Sequence, residues 1–114
     1  LNALGYVLAD RTNRYNEALD LIEKALALKP DDAAIMDSLG WVQFHMGRLD
    51  AAEENLQKAY KKFSDDEIAA HLIELYWTSG QPKKAAKIYK SIHKSTPDHP
   101  KVDRTLLRLN IPFK

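Results

Sequence analysis

The sequence predicts an all-α protein built as a right-handed solenoid of helical hairpins, and three observations support this fold class. Ala18, Ala52 and Ala85 occupy equivalent places in successive segments, separated by 34 and then 33 residues, a period typical of stacked helix–turn–helix units. Further apolar residues follow each alanine at helical spacing, and proline or serine closes each segment. Only 4 glycines and 5 prolines occur, and 45% of the residues are hydrophobic, a composition typical of a folded helical protein.

The period defines the domain organisation of the 114 residues. We expect a single domain of three units, at residues 1–31, 32–64 and 65–97, and a capping helix at residues 98–110. Leu1 aligns with Met36, which lies inside the first helix of the second unit. The chain therefore reads as part of a longer array, excised upstream of Leu1.

The first unit is predicted to hold two helices joined by a polar turn. Leu1, Leu4 and Leu8 recur at helical spacing and predict a helix over residues 1–10. Residues 10–13 are polar and predict the turn, and residues 14–28 predict the second helix. Its apolar face is predicted to consist of Ala18, Leu21, Ile22, Ala25 and Leu28. Pro30 cannot continue the helical hydrogen bonds and ends the unit.

The second and third units follow the same plan. Helices are predicted at residues 33–46 and 49–62 in the second unit, and at 65–79 and 82–95 in the third. Ser64, with Glu67 three residues later, has the pattern of a capping box for the first helix of the third unit. Pro82 is favoured in the first turn of a helix.

A last helix is predicted at residues 100–109, and Asn110 and Pro112 follow its end. Its apolar side is predicted to hold Val102, Leu106, Leu107 and Leu109, opposite a charged side. A terminal helix with one polar face shields the last apolar surface of an array from water. We therefore interpret it as a cap.

The pattern of these units resembles the tetratricopeptide repeat, in which large–Leu–Gly–Tyr marks the first helix and Ala–Phe–Ala–Pro the second. The second unit matches it best, with Leu39, Gly40, Ala52, Leu56 and Ala59 in phase. The chain is also similar to the C-terminal repeats of bacterial tetratricopeptide proteins, often envelope lipoproteins, that serve as adaptors or assembly scaffolds. The resemblance implies a non-catalytic module that binds a protein or peptide partner.

The family's orientation implies that the first helix of each repeat lines a concave groove. By helical periodicity, the predicted partner-binding residues of this groove are Tyr6, Asp37, Trp41, Phe44, His45, Glu67, His71, Glu74 and Trp77. Aromatic anchors in such grooves carry much of the binding energy, about 2 kcal/mol or more each. The carboxylates would select basic or neutral residues of the partner. The alternative is that the aromatic residues only pack between neighbouring helices.

Charge is distributed unevenly along the sequence. Residues 1–79 contain 8 Lys and Arg against 14 Asp and Glu, whereas residues 80–114 contain 9 against 2. A possible basic patch is formed by Lys83, Lys87, Lys90 and Lys94, which recur at helical spacing. Such a patch suits nucleic acid, anionic membrane or an acidic protein. The alternative is a solvated helix face, and the absence of interleaved aromatic residues disfavours nucleic acid.

Self-association is a further alternative from the class of structural functions. The helix predicted at residues 1–8 would leave an apolar face uncovered, and the acidic and basic ends of the chain complement each other. Copies of the chain would then stack into a homo-oligomer.

The sequence offers no catalytic chemistry. Cysteine is absent and the four histidines lie in different predicted helices, while neither a phosphate-binding glycine loop nor a nucleophile–base pattern is present. We therefore predict no enzyme activity, cofactor or metal. No apolar run is long enough to span a membrane, so membrane attachment would need an upstream segment. The compartment stays open between the bacterial cytoplasm and the periplasm or envelope.

Overall fold

The computed structural model describes residues 11–113, and their side chains from Arg14 onward. The helix predicted over residues 1–10, including Tyr6, lies outside the described residues. The described helices are α1 (Arg11–Leu28), α2 (Ala33–His45), α3 (Leu49–Lys62), α4 (Asp66–Thr78), α5 (Pro82–Ser95) and α6 (Pro100–Leu109). Among them none is both long enough and apolar enough to cross a membrane. The chain divides into two compact halves, residues 1–58 and 59–114. From here on these halves are called the first and second unit, and the three segments predicted from the sequence are called repeats.

The predicted helix positions are confirmed from α2 onward to within one residue at each end. In contrast, α1 begins at Arg11, so the polar turn predicted over residues 10–13 is wrong for its last three residues. Arg favours a helix, Thr and Asn are tolerated in one, and nothing in this stretch breaks a helix as proline or glycine would.

Aspartate side chains cap the N-termini of α2 and α4. Asp32 accepts a hydrogen bond from the backbone N–H of Ile35 at 3.0 Å, and Asp65 accepts one from Ile68 at 2.9 Å. The capping box predicted at Ser64 is therefore wrong. The Ser64 hydroxyl instead donates to the carbonyl oxygen of Tyr60 at 2.8 Å, near the end of α3, so Asp65 takes the capping position.

In the first unit, α1 packs against α2 through a small apolar cluster. Tyr15, Ala18 and Val42 are buried, and Leu19, Ile22 and Met46 pack against them. Leu21 and Leu28 are 59% and 85% exposed, so their predicted place on the buried face of α1 is wrong. The contact with α2 follows a narrow stripe through Tyr15, Ala18 and Ile22, and these two leucines lie off it.

Helices α2 and α3 approach closely at Gly40. A Cβ atom added there would lie 2.7 Å from Leu56 Cγ and 3.1 Å from the carbonyl oxygen of Ala52. These distances are shorter than normal van der Waals contact, so only glycine fits without displacing Leu56. Next to this contact, Asn55 Nδ2 donates to Gln43 Oε1 at 2.8 Å. Gly40 and Gln43 therefore mark the face of α2 that meets its second helix.

In the second unit, α4 forms the centre of the core and packs against both α5 and α6. The buried apolar residues of α4 are Ile68, Ala69, Ala70, Leu72, Ile73, Leu75 and Tyr76. Tyr60 and Ser91 share a hydrogen bond of 2.9 Å between α3 and α5. On α6, Val102 and Leu106 are buried as predicted, but Leu107 is 80% exposed. Its predicted burial is wrong because no described helix covers that side of α6.

Candidate interaction surfaces

Three rings on α2 form one cluster in the first unit. Trp41 stacks on Phe44 with ring centroids 5.1 Å apart, and His45 meets the two rings at 4.7 and 5.2 Å. Their spacing of three and four residues brings them to one face of the helix. Trp41 and Phe44 are half-buried, and His45 is exposed. We call Trp41, Phe44 and His45 the α2 aromatic cluster.

The cluster is held from one side by α1. Tyr15, which is buried, stacks on the His45 ring with centroids 6.1 Å apart and an angle of 25° between the planes. Stacked rings have few rotamers left to lose, so such a surface binds with a small cost in side-chain entropy. The sequence predicted these three residues as one surface, and the structure brings them into mutual contact.

Asp37 lies one turn before Trp41 on α2, but its side chain is not at the surface. Asp37 is only 4% exposed. The sequence placed this carboxylate in the binding groove, where it would select a basic or neutral partner. In the structure, contact between a partner and Asp37 would need a rearrangement of the first unit.

On α4, the four predicted groove residues lie along one face, and part of that face is occupied by the C-terminal segment. Asp66 Oδ2 and Oδ1 accept hydrogen bonds from the backbone N–H groups of Lys101 at 2.7 Å and Val102 at 2.8 Å. The side chain of His99, the N-cap residue of α6, makes no capping hydrogen bond. Asp66 instead satisfies the free backbone N–H groups at the start of this helix. Asp66 therefore fixes the start of α6 against α4.

Two ion pairs continue the same contact along α6. Lys101 Nζ donates to Glu67 Oε1 at 2.7 Å, and the Arg108 guanidinium donates to both carboxylate oxygens of Glu74. The hydrogen bond with Lys101 lowers the pKa of Glu67, and Glu67 in turn raises the pKa of Lys101. The hydrogen bond with Glu74 raises the pKa of Arg108. We call the contacts of Asp66, Glu67 and Glu74 with α6 the α6 clamp.

Trp77 is also contacted by the C-terminal segment. Its ring meets that of Phe113 edge to face, with centroids 5.6 Å apart, and Phe113 also lies 5.7 Å from Tyr89 of α5. Trp77 and His71 are both half-buried. On α4, therefore, Glu67, Glu74 and Trp77 each have a partner within the second unit.

Sequence reasoning missed Asp66, Lys101, Arg108 and Phe113 as partners of these residues. A signal for the two ion pairs was present, because Glu67 and Lys101, and likewise Glu74 and Arg108, are 34 residues apart. This distance equals the repeat period, and residues one period apart lie on equivalent first helices. Opposite charges at that spacing therefore indicate neighbours.

Two histidines meet at the turn between α5 and α6, and this pair was not among the contacts expected from the sequence. His93 Nδ1 and His99 Nε2 are 2.8 Å apart, and His99 is only 3% exposed. The Tyr89 ring stacks on His93 at 5.4 Å. His99 Nδ1 lies 3.0 Å from Asp103 Oδ1 without the geometry of a hydrogen bond. The pair joins α5 to the start of α6.

The four lysines predicted as a basic patch are all exposed on α5. Lys83, Lys87, Lys90 and Lys94 have no ion pair among the described residues, and α5 contains no acidic residue. Lys24 of α1 and Lys58 of α3, in contrast, pair with Asp20 and Glu54 one turn earlier. The stripe is therefore uncompensated positive charge.

The helices, their hairpin connections and their repeating contacts define an all-α array of helical hairpins. Two family models, both described as tetratricopeptide repeat, match residues 1–64 and 43–109. The chain belongs to the tetratricopeptide repeat family, whose members generally mediate protein–protein interactions as non-catalytic scaffolds. The resemblance and the all-α hairpin fold predicted from the sequence are thus confirmed.

Individual relatives match the chain over about two thirds of its length. It is 57% identical over 74 residues to the TPR repeat-containing protein PA4667 of Pseudomonas aeruginosa, covering 65% of the chain. It is 32% identical over 80 residues to the cell division cycle protein 16 homologs of Homo sapiens and Mus musculus, covering 67%. These matches span only 12% and 13% of the relatives' own lengths.

Proposed function

We propose that this chain is a non-catalytic adaptor module that binds a segment of a partner protein, with the α2 aromatic cluster as the anchor. The observation that carries the proposal is the mutual contact of Trp41, Phe44 and His45 at a partly exposed surface. Rings arranged in this way offer a large and rigid contact area. Residues of this kind supply most of the energy of known interfaces.

The proposed ligand is recognised mainly by its apolar side chains. Of the three predicted selecting carboxylates, Asp37 is 4% exposed and the Glu74 side chain 12% exposed. Glu67 is more exposed, with 48% of its side chain accessible, but its charge is already paired with Lys101. We therefore infer a partner segment with a leucine, methionine or aromatic anchor and only a weak preference for basic residues.

The proposal is tested by capture and then by affinity. The immobilised chain and its Trp41→Ala, Phe44→Ala variant are exposed to a bacterial lysate and an envelope extract. A protein captured by the parent chain is purified and titrated calorimetrically. The variant should bind it at least about 30-fold more weakly, given the usual energy of a ring anchor. Leu28→Ala is the matched control, because Leu28 is 85% exposed and outside the cluster, and it should bind normally.

Unfolding must be separated from loss of the anchor. Circular dichroism and thermal unfolding are measured on each variant, and Trp41→Phe preserves a ring in contact with Phe44. A folded double-alanine variant that binds as tightly as the parent chain would refute the proposal. If both alanine variants unfold, Trp41→Leu and Phe44→Leu keep the apolar volume and remove the rings, and unchanged affinity in these would refute it equally.

A second candidate is an anionic partner bound at the lysine stripe of α5, favoured by the four exposed lysines without an internal ion pair. Retention on heparin that is lost in Lys83→Glu, Lys87→Glu, Lys90→Glu supports it, and unchanged retention rejects it. Self-association through residues 1–8 stays a prediction, because these residues lie outside the described part of the chain.

A further inference from the structure

The exposed face of α5 carries positive charge that the described part of the chain does not neutralise. Lys83, Lys87, Lys90 and Lys94 are exposed, and none of them has an ion pair or hydrogen bond among the described residues. The two acidic residues of the chain after residue 80 lie outside α5. Like charges one turn apart on a helix repel each other, so this face gains when an anion binds to it.

The packing of α5 holds these lysines at the surface. Ala85 and Ile92, on the opposite face of the helix, are 0% exposed, and α5 packs against α4. Tyr89 is half-buried and its ring stacks on that of His93, with centroids 5.4 Å apart. The helix is therefore amphipathic, with its apolar face occupied by the core and its basic face free.

The end of α3 lies next to this basic face. Tyr60 of α3 and Ser91 of α5 share a hydrogen bond of 2.9 Å between their hydroxyl groups, and Ser91 lies one turn after Lys87. The backbone N–H of Phe63 continues the helical hydrogen bonds of α3 at 2.9 Å. Phe63 therefore follows Tyr60 by one turn, on the side of α3 that meets α5.

Phe63 and Lys61 add an apolar ring and a further charge to the surface. Phe63 is 60% exposed. Lys61 is exposed and has no ion pair among the described residues. We call the four exposed lysines of α5, with Lys61 and Phe63, the basic surface. It offers several cationic groups and one exposed aromatic ring to the same ligand.

An anionic membrane matches both features. Clusters of four to eight basic residues on an amphipathic helix bind anionic lipids, and phenylalanine side chains enter the boundary between headgroups and acyl chains. A single nucleic acid strand, in contrast, is bound by aromatic rings on which successive bases stack. The ring that lies between the lysines of α5 is Tyr89, which is half-buried and already stacked on His93.

We propose that the basic surface docks the second unit on an anionic membrane, with the lysines at the lipid phosphates and the Phe63 ring among the headgroups. This inference deepens the second candidate function, on which it rests, because it names the ligand of the lysine stripe. The sequence predicted membrane attachment only through an upstream segment, whereas this contact uses residues of the chain itself. It involves no residue of the α2 aromatic cluster.

The probe is a vesicle of about two parts phosphatidylcholine to one part phosphatidylglycerol, and vesicles of phosphatidylcholine alone are the neutral control. The 114-residue chain is sedimented with each, and the partition coefficient is measured over a series of salt concentrations. We expect partition onto the anionic vesicles to be at least about 30-fold stronger than onto the neutral ones. It should fall as salt screens the surface charge.

Two variants test the residues of the surface. Lys87→Glu, Lys90→Glu, Lys94→Glu should lower the partition coefficient on anionic vesicles at least about 100-fold, since each lysine contributes separately to lipid binding. Phe63→Ala should lower it about fivefold, because it removes the apolar contact and keeps every charge. All four side chains are exposed, so circular dichroism should show an unchanged fold. If the triple variant unfolds, the same three lysines are replaced by glutamine.

The matched control makes the same change of net charge elsewhere. Arg14→Glu, Lys24→Glu, Lys29→Glu replaces three exposed basic residues of the first unit. At physiological ionic strength these positions should change the partition coefficient by less than about threefold, because charges outside the contact are screened. Trp41→Ala, Phe44→Ala should bind the vesicles like the parent chain.

Three results would overturn the proposal. The first is no binding to the anionic vesicles, or equal binding to the neutral ones. The second is an equal loss in the two triple variants, which would show that only net charge matters. The third is retention on heparin that depends on the lysine stripe, without vesicle binding. That result would leave the second candidate function in place and assign the stripe to a nucleic acid or an acidic protein, whereas loss of both kinds of binding would reject both.

Discussion

Glu74 and Arg108 form a bidentate ion pair that joins α4 of the third repeat to the C-terminal helix, with both terminal guanidinium nitrogens donating to the carboxylate. The Glu74 side chain is 12% exposed and that of Arg108 57% exposed. The acid is thus almost out of water, and Arg108 is the partner that offsets the loss of its hydration. The pair makes Glu74 a residue of the α4–α6 contact.

Replacing Arg108 by alanine is expected to lower the free energy of unfolding by about 2 kcal/mol, because it leaves Glu74 buried without this partner. The double variant Glu74→Gln, Arg108→Ala should be more stable than Arg108→Ala alone. Urea unfolding followed by circular dichroism measures both. Arg104→Ala, an exposed arginine of the same helix, is the control and should change stability little. Equal stability of the two arginine variants would show that the pair contributes nothing.

Because of the ion pair between Glu67 and Lys101, we expect the free energy of unfolding to fall at acidic pH. The pKa of Glu67 is lowered in the folded state from the ordinary value of 4.5. The ion pair therefore contributes to stability above that value, and this contribution is lost as pH falls through the pKa of the folded state. Glu67→Gln should therefore reduce stability at neutral pH and reduce the loss of stability below pH 4.5. Urea midpoints at a series of pH values between neutral and strongly acidic check this. Parallel curves for the variant and the parent chain would contradict it.

Asp66 is expected to hold the first turn of α6 in place. Asp66→Ala removes the acceptor of two backbone N–H groups, those of Lys101 and Val102, and should destabilise the chain by about 1 kcal/mol. Hydrogen exchange of these two amides should accelerate more than that of the α4 core. Asp98→Ala, which removes an exposed aspartate near the same helix, is the control. Unchanged protection at residues 101 and 102 would exclude a capping role.

Gly40 should not tolerate a side chain. Gly40→Ala brings a Cβ to within 2.7 Å of Leu56 Cγ, and we expect a loss of about 1–3 kcal/mol from overpacking, despite the better helix propensity of alanine. Ser38→Ala, on the exposed side of the same helix, is the control. In a cycle with Leu56→Ala the two changes should be less costly together than their separate effects imply. Additive effects would show that Leu56 is not what limits the space.

The repeat period was sufficient to predict most of the fold. Helix positions follow from the recurrence of apolar residues and from local signals such as Pro82, which depend only on neighbouring residues. Errors arose where two local signals competed, as at Ser64 and Asp65, since either side chain can cap a helix and only the backbone path selects one. Leu21, Leu28 and Leu107 were assigned to buried faces because hydrophobicity alone does not say where a neighbouring helix stops.

The candidate surfaces were predicted unevenly for the same reason. Trp41, Phe44 and His45 lie within one turn of a single helix, so their mutual contact follows from helical geometry. The partners of Glu67, Glu74 and Trp77 are residues of α6 and Phe113, which lie about 34 positions further along the chain. A pairwise match of opposite charges at the repeat period would have indicated the two ion pairs. Nothing local indicated the ring contact with Phe113.

The sequence alone determined the class of this protein, because a repeat of helical hairpins is encoded in local periodicity and each unit carries its own copy of the pattern. Only the tertiary structure decided which polar groups on those helices are available to a partner. Burial and ion pairing depend on side chains that approach from other helices, and these remove Asp37 and Glu74 from the exposed surface. The same packing leaves Leu107 uncovered, because no described helix lies over that side of α6.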